Sequence, residues 1–345
     1  MLNVLTRVAA KNRVLARPKM PPMRMAAVVM ATVAVVGLVT HQPVRAQAFP
    51  SQPIRLIVPF APGGGVDVIG RTIGDQLAKQ FGHTVIVENK TGAGGNLASA
   101  FVARANPDGY TLLVSSNSNS YNDFLYSNTG YDPAKDLLRV VQIGRVPMVL
   151  LVSPTVAPKT VQEVISLAKS KPDTLNFGSG GNGTAEHLVY ELFKRRSQIN
   201  VAHVPYRGGA QVYTDLIGGQ IQFMFNNQLG GMPYIKSGQL RAVGLTGQER
   251  SRQLPDLPTF AEQGIADFNA AVWWGLMAPA GTPGNVVNEL NRMVNEVLKS
   301  PEVASRLEVL GAQPVGGPPE RFETFFASER STWRQVIKDA AIKLD

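Results

Sequence analysis

The chain has 345 residues, of which 44% are hydrophobic and 17% charged, and it contains no cysteine. This length supports two domains and a sizeable apolar core. The missing cysteines exclude disulfides, thiolate metal sites and a cysteine nucleophile.

The net charge of +9 is concentrated at the N-terminus. Residues 1–48 hold seven Lys or Arg and no Asp or Glu, so the remainder has 27 basic and 25 acidic residues. Because a nearly neutral remainder offers no large basic surface, we expect no binding of nucleic acid.

Residues 1–48 have the three parts of a secretory signal. A basic segment precedes a 15-residue uncharged run at 26–40, and Ala46-Gln47-Ala48 follows as a small-x-small cleavage site. The run is short for a membrane span, which needs about 20 residues. A cleaved signal peptide over residues 1–48 and an exported mature protein are therefore predicted, with a transmembrane anchor as the alternative.

Strands and helical patterns alternate from residue 54 onward. The first block has strands at 54–58, 84–89 and 110–116, with helices near 66–77 and 94–105. The second has strands at 147–153, 174–179, 201–206, 221–227 and 240–246, with helices at 160–170 and from Thr184 to about Lys194. A strand near 272 and helices at 283–299, 301–310 and 319–340 follow. Two such blocks predict an α/β fold with two lobes, each a mostly parallel sheet flanked by helices.

Ligands of such sheets bind in the loops beyond the carboxyl ends of the strands. The loops that follow Val58, Glu88, Val114, Phe177 and Phe225 are rich in Gly, Ser, Thr and Asn. We therefore expect the functional residues in these polar loops, which include SSNSNSYND after Val114, in a cleft between two lobes.

The first of these loops superficially matches a nucleotide-binding pattern. Gly65, Gly70, Arg71 and Thr72 occupy the fixed positions of G-x-x-x-x-G-K-[ST]. However, Arg replaces the Lys, Asp67 would lie beside the phosphates, and Gly70 falls within the helical stripe. These differences argue against a hydrolase or nucleotide-dependent enzyme, which stays as an alternative function.

A site for an anion other than phosphate would also explain the glycines of the first loop. Residues 63–65 place main-chain N–H groups at the start of a helix, where unpaired donors and the helix dipole favour an anion such as a carboxylate. The sequence GSGGNGT at 178–184 repeats this arrangement, with Thr184 as a helix N-cap. One such loop in each lobe predicts a two-sided anion site, and a tight turn is the alternative for either loop alone.

The sequence holds no recognisable catalytic or metal-binding pattern. His83, His187 and His203 lack metal-ligand spacing and are predicted to be surface or packing residues. No G-x-S-x-G elbow occurs, and the serines at 115–120 have no identifiable base. Trp273 and Trp274 lie in an apolar strand and are assigned to the core. We expect no catalytic residue, no metal and no cofactor.

Several motifs from residue 49 to the C-terminus resemble those of one receptor family. They are FPSQPIRLIVPFAPGGGVDVIGR, VIVENKTGAGGN, ANPDGYTLL, YDPAKDL, GNGTAEHL, HVPYRGGA, DLIGGQIQFMF and WWGLMAPAGTP. In this order they resemble the Bug-type receptors, which are the periplasmic substrate-binding proteins of tripartite tricarboxylate transporters.

The resemblance implies a type II periplasmic-binding fold without enzymatic activity. It places residues 49–148 plus 269–345 in domain 1 and residues 149–268 in domain 2. A monomeric receptor would capture a small organic carboxylate between the lobes and deliver it to membrane permease subunits. The same fold used as a ligand sensor for a signalling protein is the alternative.

Matching positions imply ligand contacts from both lobes. Domain 1 would contribute Phe60, Ala61, Pro62, Gly63, Gly64, Asp67, Ser116 and Asn117, and domain 2 would contribute Ser179, Gly180, Asn182, Gly183, Thr184 and Asn227. The chain departs from the family at Val66, where Thr is common, and at Asn226, where Asp is common. The ligand therefore stays open among dicarboxylates, aromatic acids, amino acids and uncharged amides.

Overall fold

The structure is a computed structural model that describes residues 49–207 and 209–344. The predicted signal peptide at 1–48 lies outside these residues. Within the described range there are ten strands and ten α-helices. No helix of this range has both the length and the hydropathy of a membrane-crossing segment.

A first sheet forms around three parallel strands. β1 (Ile54–Val58) lies between β2 (Val85–Asn89) and β3 (Thr111–Ser116). β9 (Ala271–Pro279) runs antiparallel to β3, and β4 (Leu137–Val152) runs antiparallel to β9. The apolar β1 is almost wholly buried, as expected for a strand that is covered on both faces.

A second sheet continues from the C-terminal part of β4. β5 (Asn176–Ser179) pairs in parallel with β6 (Ala202–Pro205) and β7 (Phe223–Asn227). β4 lies antiparallel to both β7 and β8 (Arg241–Leu245). The predicted α/β class is confirmed, but both sheets are mixed, whereas mostly parallel sheets were expected. The cause is that β4 and β9, which carry the chain across and back, run against their neighbours.

Helices cover the faces of the two sheets. They are α1 (Gly65–Phe81), α2 (Asn96–Ala103), α3 (Ser118–Leu125), α4 (Val161–Ser170), α5 (Ala185–Ser197), α6 (Gly209–Ile217), α7 (Gln228–Lys236), α8 (Gly284–Val297), α9 (Pro301–Val309) and α10 (Pro319–Asp339). A 3₁₀ turn at Ala93–Gly95 precedes α2, and β10 (Gln313–Pro314) pairs with β4. The predicted α4, α5 and three C-terminal helices are confirmed.

Residues 118–125 form helix α3, where the sequence pattern predicted a polar loop. Asn119 and Asn122 are buried in it, and their side-chain amides donate to the Ser99 hydroxyl (2.8 Å) and the Gly94 main-chain oxygen (3.0 Å). Asn and Ser are weak helix formers because their side chains compete for nearby main-chain groups. Here those side chains bond to residues distant in sequence, so the local pattern did not reveal the helix.

β4 carries the chain from the first lobe to the second. Its residues up to Pro147 pair with β9, and those from Met148 onward pair with β7 and β8. Pro147 has no N–H to donate to a neighbouring strand. Its place in β4 is tolerated because the hydrogen-bonded partner of β4 changes at this residue. The sequence pattern predicted that this strand begins only at residue 147, because Arg139 and Gln142 interrupt the apolar run. In the structure both of these polar residues are buried within the strand.

Helix α10 packs against both lobes. Phe322 and Phe326 in its first half contact the buried indole of Trp273 in β9, with ring centroids 5.6 and 6.2 Å apart. Trp333 and Ile337 in its second half belong to the hydrophobic core of the second lobe. This shared helix ties the lobes together, and residues 49–345 accordingly form one compact unit.

Candidate functional site

The loop after β1 is exposed and is shaped by a buried carboxylate. Residues 61–64, four of the predicted ligand contacts, are exposed, and Gly63 has a φ of +84°, which favours glycine. Asp67 is only 2% exposed and accepts hydrogen bonds from the Gly63 N–H (2.9 Å) and from Arg71 Nε (3.0 Å). Its second oxygen accepts from Asn89 Nδ2 at 2.8 Å. Asp67 therefore holds the loop in shape with both of its oxygens.

The charge on Asp67 is stabilised by this network. Burial alone would raise the pKa of the carboxyl, but the hydrogen bonds from Arg71, Gly63 and Asn89 outweigh burial and lower the pKa below its ordinary value. Asn89 also donates to the main-chain oxygen of the half-buried Phe60 at 2.9 Å. The first-lobe loop is thus ordered by contacts within the protein.

The residues at the end of β3 are buried and contact the crossing strand β9. Ser116 and Asn117, both predicted ligand contacts, are 6% and 5% exposed. The Asn117 side chain donates to the Ala271 main-chain oxygen (2.8 Å) and accepts from the Trp273 N–H (2.9 Å). Ala271 is the residue of β9 that pairs with Pro147. The structure therefore places Asn117, between β3 and α3, as a link to β9, with both ends of its amide bonded to that strand.

The loop after β5 is shaped in the same way as the loop after β1. Thr184 is the N-cap of α5, as predicted: its hydroxyl accepts from the His187 N–H (3.4 Å) and donates to the Gly181 main-chain oxygen (2.9 Å). Gly183 has a φ of +73°, and its N–H donates to His187 Nδ1 at 3.1 Å. A side chain of α5 therefore binds back to the loop that precedes the helix, as Asp67 does in the first lobe.

Two histidines that the sequence analysis assigned separately to surface or packing positions lie together behind this loop. The rings of His187 and His203 stack with centroids 3.8 Å apart and planes 7° from parallel. His203 Nε2 lies 2.7 Å from the hydroxyl of the fully buried Ser179. Burial and the charge of Lys194 lower the pKa of His187 to about 4, and burial with His187 and Lys194 lowers that of His203 to about 3.

The sequence contained a weak signal for this pair. His187 follows the glycine loop by one helical turn, and His203 lies in β6 opposite Phe177 of β5. Only the parallel pairing of β5 with β6 brings the two rings into contact. The sequence patterns of α5 and β6, taken separately, do not indicate this contact.

The remaining predicted contacts of the second lobe are partly accessible. Asn182 is exposed, while Gly180 and Asn227 are half-buried. Asn227 ends β7 and caps α7, since its side-chain oxygen accepts from the Gly230 N–H at 2.9 Å. These three residues lie at the carboxyl ends of neighbouring strands, where the fold places a ligand.

Both glycine loops end in unpaired main-chain donors. The N–H groups of Gly65 and Val66 in α1, and of Ala185 and Glu186 in α5, have no acceptor among residues 49–207 and 209–344. Unpaired amides and the positive end of the helix dipole together favour an anion. The arrangement can bind a negatively charged group without a basic side chain.

The glycine loop after β5 packs at Gly183 against the end of α3 and the C-terminal segment. A Cβ at this position would lie 3.2 Å from Leu125 at the end of α3 and 2.7 Å from Leu344 near the C-terminus. The Leu344 N–H donates to the Leu125 main-chain oxygen at 3.0 Å. Gly183 therefore lies against α3 and the C-terminal segment, and both its φ and its surroundings restrict it to glycine.

The nucleotide interpretation of the first loop does not fit the geometry. Gly70 is buried inside α1, where a Cβ would lie 3.0 Å from Val58 and 3.3 Å from Val114. Arg71 is paired with Asp67 at 3.0 Å, so its guanidinium is already bound. No group of three or more His, Asp or Glu side chains in the described part of the chain is placed to hold a metal ion.

Comparison with known proteins agrees with the fold and identifies the family. Residues 69–342 match the model of the tripartite tricarboxylate transporter family receptor. Protein BugT of Bordetella pertussis is 35% identical over 323 residues, which cover 93% of this chain and 98% of BugT.

Two solved structures are also similar. R. palustris Rpa4515 with adipate has a TM-score of 0.72 and 34% identity, covering 86% of this chain and 100% of its own. MatC (Rpa3494) from Rhodopseudomonas palustris with bound malate has a TM-score of 0.68 and 33% identity, covering 84% and 100%. The resemblance to Bug-type receptors is thus confirmed, and the chain belongs to the tripartite tricarboxylate transporter receptor family.

Proposed function

We propose that the protein is a periplasmic receptor that captures a small organic carboxylate between its lobes and delivers it to the membrane subunits of a tripartite transporter. The observation that carries this proposal is the pair of glycine loops. One precedes α1 and the other precedes α5, and each of these helices begins with main-chain donors that have no partner in the described part of the chain. A carboxylate fits such donors because it can accept several hydrogen bonds and carries the charge that a helix N-terminus favours.

The predicted contacts divide into two groups in this proposal. Seven accessible residues would meet the ligand, and they are Phe60, Ala61, Pro62, Gly64, Gly180, Asn182 and Asn227. The others would shape the loops, and they are Gly63, Asp67, Ser116, Asn117, Ser179, Gly183 and Thr184. The lobes would be bounded as 49–148 plus 269–345 and 149–268, which the change of β4 partners after Pro147 supports.

Binding would proceed by closure of the lobes, without chemical conversion of the ligand. Closure brings the donors of the second lobe to a carboxylate already held by the first, and it expels water, which strengthens each hydrogen bond. Hydrogen bonds to a charged group are worth about 1.5–3 kcal/mol each. Export to the periplasm would depend on the signal peptide at 1–48.

A thermal-shift screen with confirmation by calorimetry tests this function. Adipate and malate, the ligands named for the two similar structures, should raise the melting temperature of the mature protein, whereas ATP with Mg²⁺ should not. Stabilisation by ATP alone, with no response to any carboxylate in a wider panel, would contradict the receptor function. Uptake of the bound carboxylate by cells with and without the gene separates transport from signalling.

A matched pair of cap variants tests the second-lobe loop. Thr184→Val and Thr160→Val each remove an N-cap hydroxyl, at α5 beside the cleft and at α4 away from it. Each should lower stability by about 1 kcal/mol. Only Thr184→Val should also weaken carboxylate binding, by tenfold or more, because it frees the glycine loop. Equal carboxylate affinity in the two variants would show that this loop is not part of the binding site.

A further inference from the structure

The stacked histidines hold the second-lobe loop at both of its ends. His203 Nε2 meets the Ser179 hydroxyl where the loop begins, and His187 Nδ1 accepts the Gly183 N–H where it ends. Gly180 and Asn182, which would meet the ligand, lie between these two anchors. The two rings touch each other, so one rigid unit sets the span of the loop.

We propose that His187 and His203 are positioning residues for ligand capture, and that they hold the loop only while both rings are neutral. This inference rests on the proposed function for its binding readout, but the state of the loop can be measured without ligand. It predicts that acidification opens the second-lobe loop and releases the carboxylate.

The chemistry of His187 explains why neutrality is needed. Its Nδ1 accepts the Gly183 N–H, so this nitrogen carries a lone pair and the proton of the ring is on Nε2. Protonation would place a second N–H against the Gly183 N–H, and two donors cannot bond to each other. A second proton on His203 would add a like charge in the stacked ring 3.8 Å away.

Few charged groups are placed to offset such protonation. On α5 itself, Glu191 Oε1 lies 3.9 Å from His187 Nε2, and Lys194 lies 4.0 Å from the same carboxylate oxygen. β5 and β7, which pack against α5, carry no ionisable side chain, and β6 contributes only His203. α10 contributes Asp339, which pairs with Arg195 farther along α5 at 2.6 Å.

The electrostatics of these neighbours agree with neutral rings. Burial raises the pKa of Glu191, so this carboxyl is a weakened partner for an imidazolium. Burial and Lys194 lower the pKa of both histidines well below the ordinary imidazole value, to about 4 and about 3. The loop should therefore keep its shape at neutral pH and lose it only in distinctly acid solution.

Histidine NMR of the ligand-free mature protein tests the state of the rings. Long-range ¹H–¹⁵N spectra between pH 3.5 and 8 should show His187 with an unprotonated Nδ1 at pH 7. His187 should titrate below pH 5 while His203 stays mostly neutral down to pH 3.5, and the Gly183 amide should shift together with His187. Titration of His187 near pH 6.5, or a Gly183 amide that does not respond to it, would overturn the inference.

Two replacements of His187 test its role in binding. His187→Phe keeps a flat ring but removes the acceptor, so adipate affinity at pH 7 should fall at least tenfold. His187→Asn keeps an acceptor near the Nδ1 position and should retain affinity within threefold. His83→Asn, at the opposite end of the first sheet, is the control and should bind as the wild type does.

The pH profile separates positioning from simple packing. Adipate itself takes up protons in acid, so the ratio of wild-type to His187→Asn affinity is the quantity to follow from pH 7 to pH 4. This ratio should fall about twofold by pH 4, where half of the His187 rings are protonated, because only the wild type loses its acceptor. A constant ratio, or Phe and Asn variants of equal affinity, would refute the inference. If the wild type binds no carboxylate at all, the proposed function is wrong. The NMR titration would still decide whether the neutral histidines hold the second-lobe loop.

Discussion

A single buried carboxylate decides the shape of the first-lobe loop. Asp67 lies in the first turn of α1, and its two oxygens accept from the main chain of Gly63 and from the side chains of Arg71 and Asn89. A sequence pattern shows only an acid near a helix N-terminus, which is a common and mildly stabilising feature. The partners show that this acid organises the glycine loop.

Replacement of Asp67 by Asn should destabilise the protein by about 2 kcal/mol at pH 7, since it removes the charge-assisted hydrogen bonds that the buried carboxylate accepts. The folded protein holds the pKa of Asp67 below its ordinary value, so this stabilisation is present at neutral pH and is lost as the pH falls below about 4. Urea unfolding at several pH values measures both effects. Asp75→Asn, at an exposed position of the same helix, should change stability little.

Helix α10 shows how one element joins two hydrophobic cores through a polar residue. Glu329 is 8% exposed, and its Oε2 accepts hydrogen bonds from the indole N–H groups of Trp273 and Trp333, each at 3.0 Å. Burial raises the pKa of Glu329 to about 7, although the two indole donors favour the charged form. The carboxyl therefore changes charge near neutral pH inside the protein.

The raised pKa has a definite consequence for stability. Between about pH 4.5 and pH 7 the folded protein keeps a proton that the unfolded chain releases, so Glu329 makes stability decrease as the pH rises through this window. Glu329→Gln keeps an oxygen acceptor for both indoles and does not titrate. Relative to this variant, wild type should lose on the order of 3 kcal/mol of unfolding free energy from pH 4.5 to pH 8.

Denaturant midpoints at intervals across this range measure the difference. Glu320→Gln, on the exposed first turn of α10, should reproduce the wild-type pH profile. Parallel profiles for wild type and Glu329→Gln would show that Glu329 stays ionised in the folded protein.

At the scale of the whole molecule, the lobes are joined by side chains as well as by the crossing strands. Asn117 bonds to β9 at Ala271 and Trp273, and the buried Thr246 bonds to Ala270 and to Met148 of β4. These bonds flank the position where β4 exchanges its partners. They brace β4 and β9 where these strands cross between the lobes.

The joined lobes should unfold in one cooperative transition. Tryptophan fluorescence, which reports both lobes, and far-UV circular dichroism should give the same urea midpoint. Asn117→Ala should lower the unfolding free energy by about 2 kcal/mol without splitting the transition, because it leaves two buried main-chain groups unpaired. Two separate transitions in the wild type would show that the lobes fold independently. Asn106→Ala, at an exposed position, is the control.

Local chemistry was sufficient to predict much of this protein. Alternating apolar periods placed most strands and helices, the Thr184 cap started α5 where expected, and the motifs around the glycine loops indicated the receptor family. These features depend on residues within a few positions of one another. Periodicity, propensity and capping act over that distance, so a sequence displays them directly.

Only the tertiary structure decided which loop residues are free and which are bound within the protein. The stacking of His187 on His203, the bonds of Asn117 to β9 and the buried polar helix α3 each join groups far apart in sequence. Their partners are chosen by strand pairing and by the need to satisfy buried donors and acceptors. The sequence alone therefore determined the two glycine loops and the helices that follow them, whereas the fold determined what holds those loops in place.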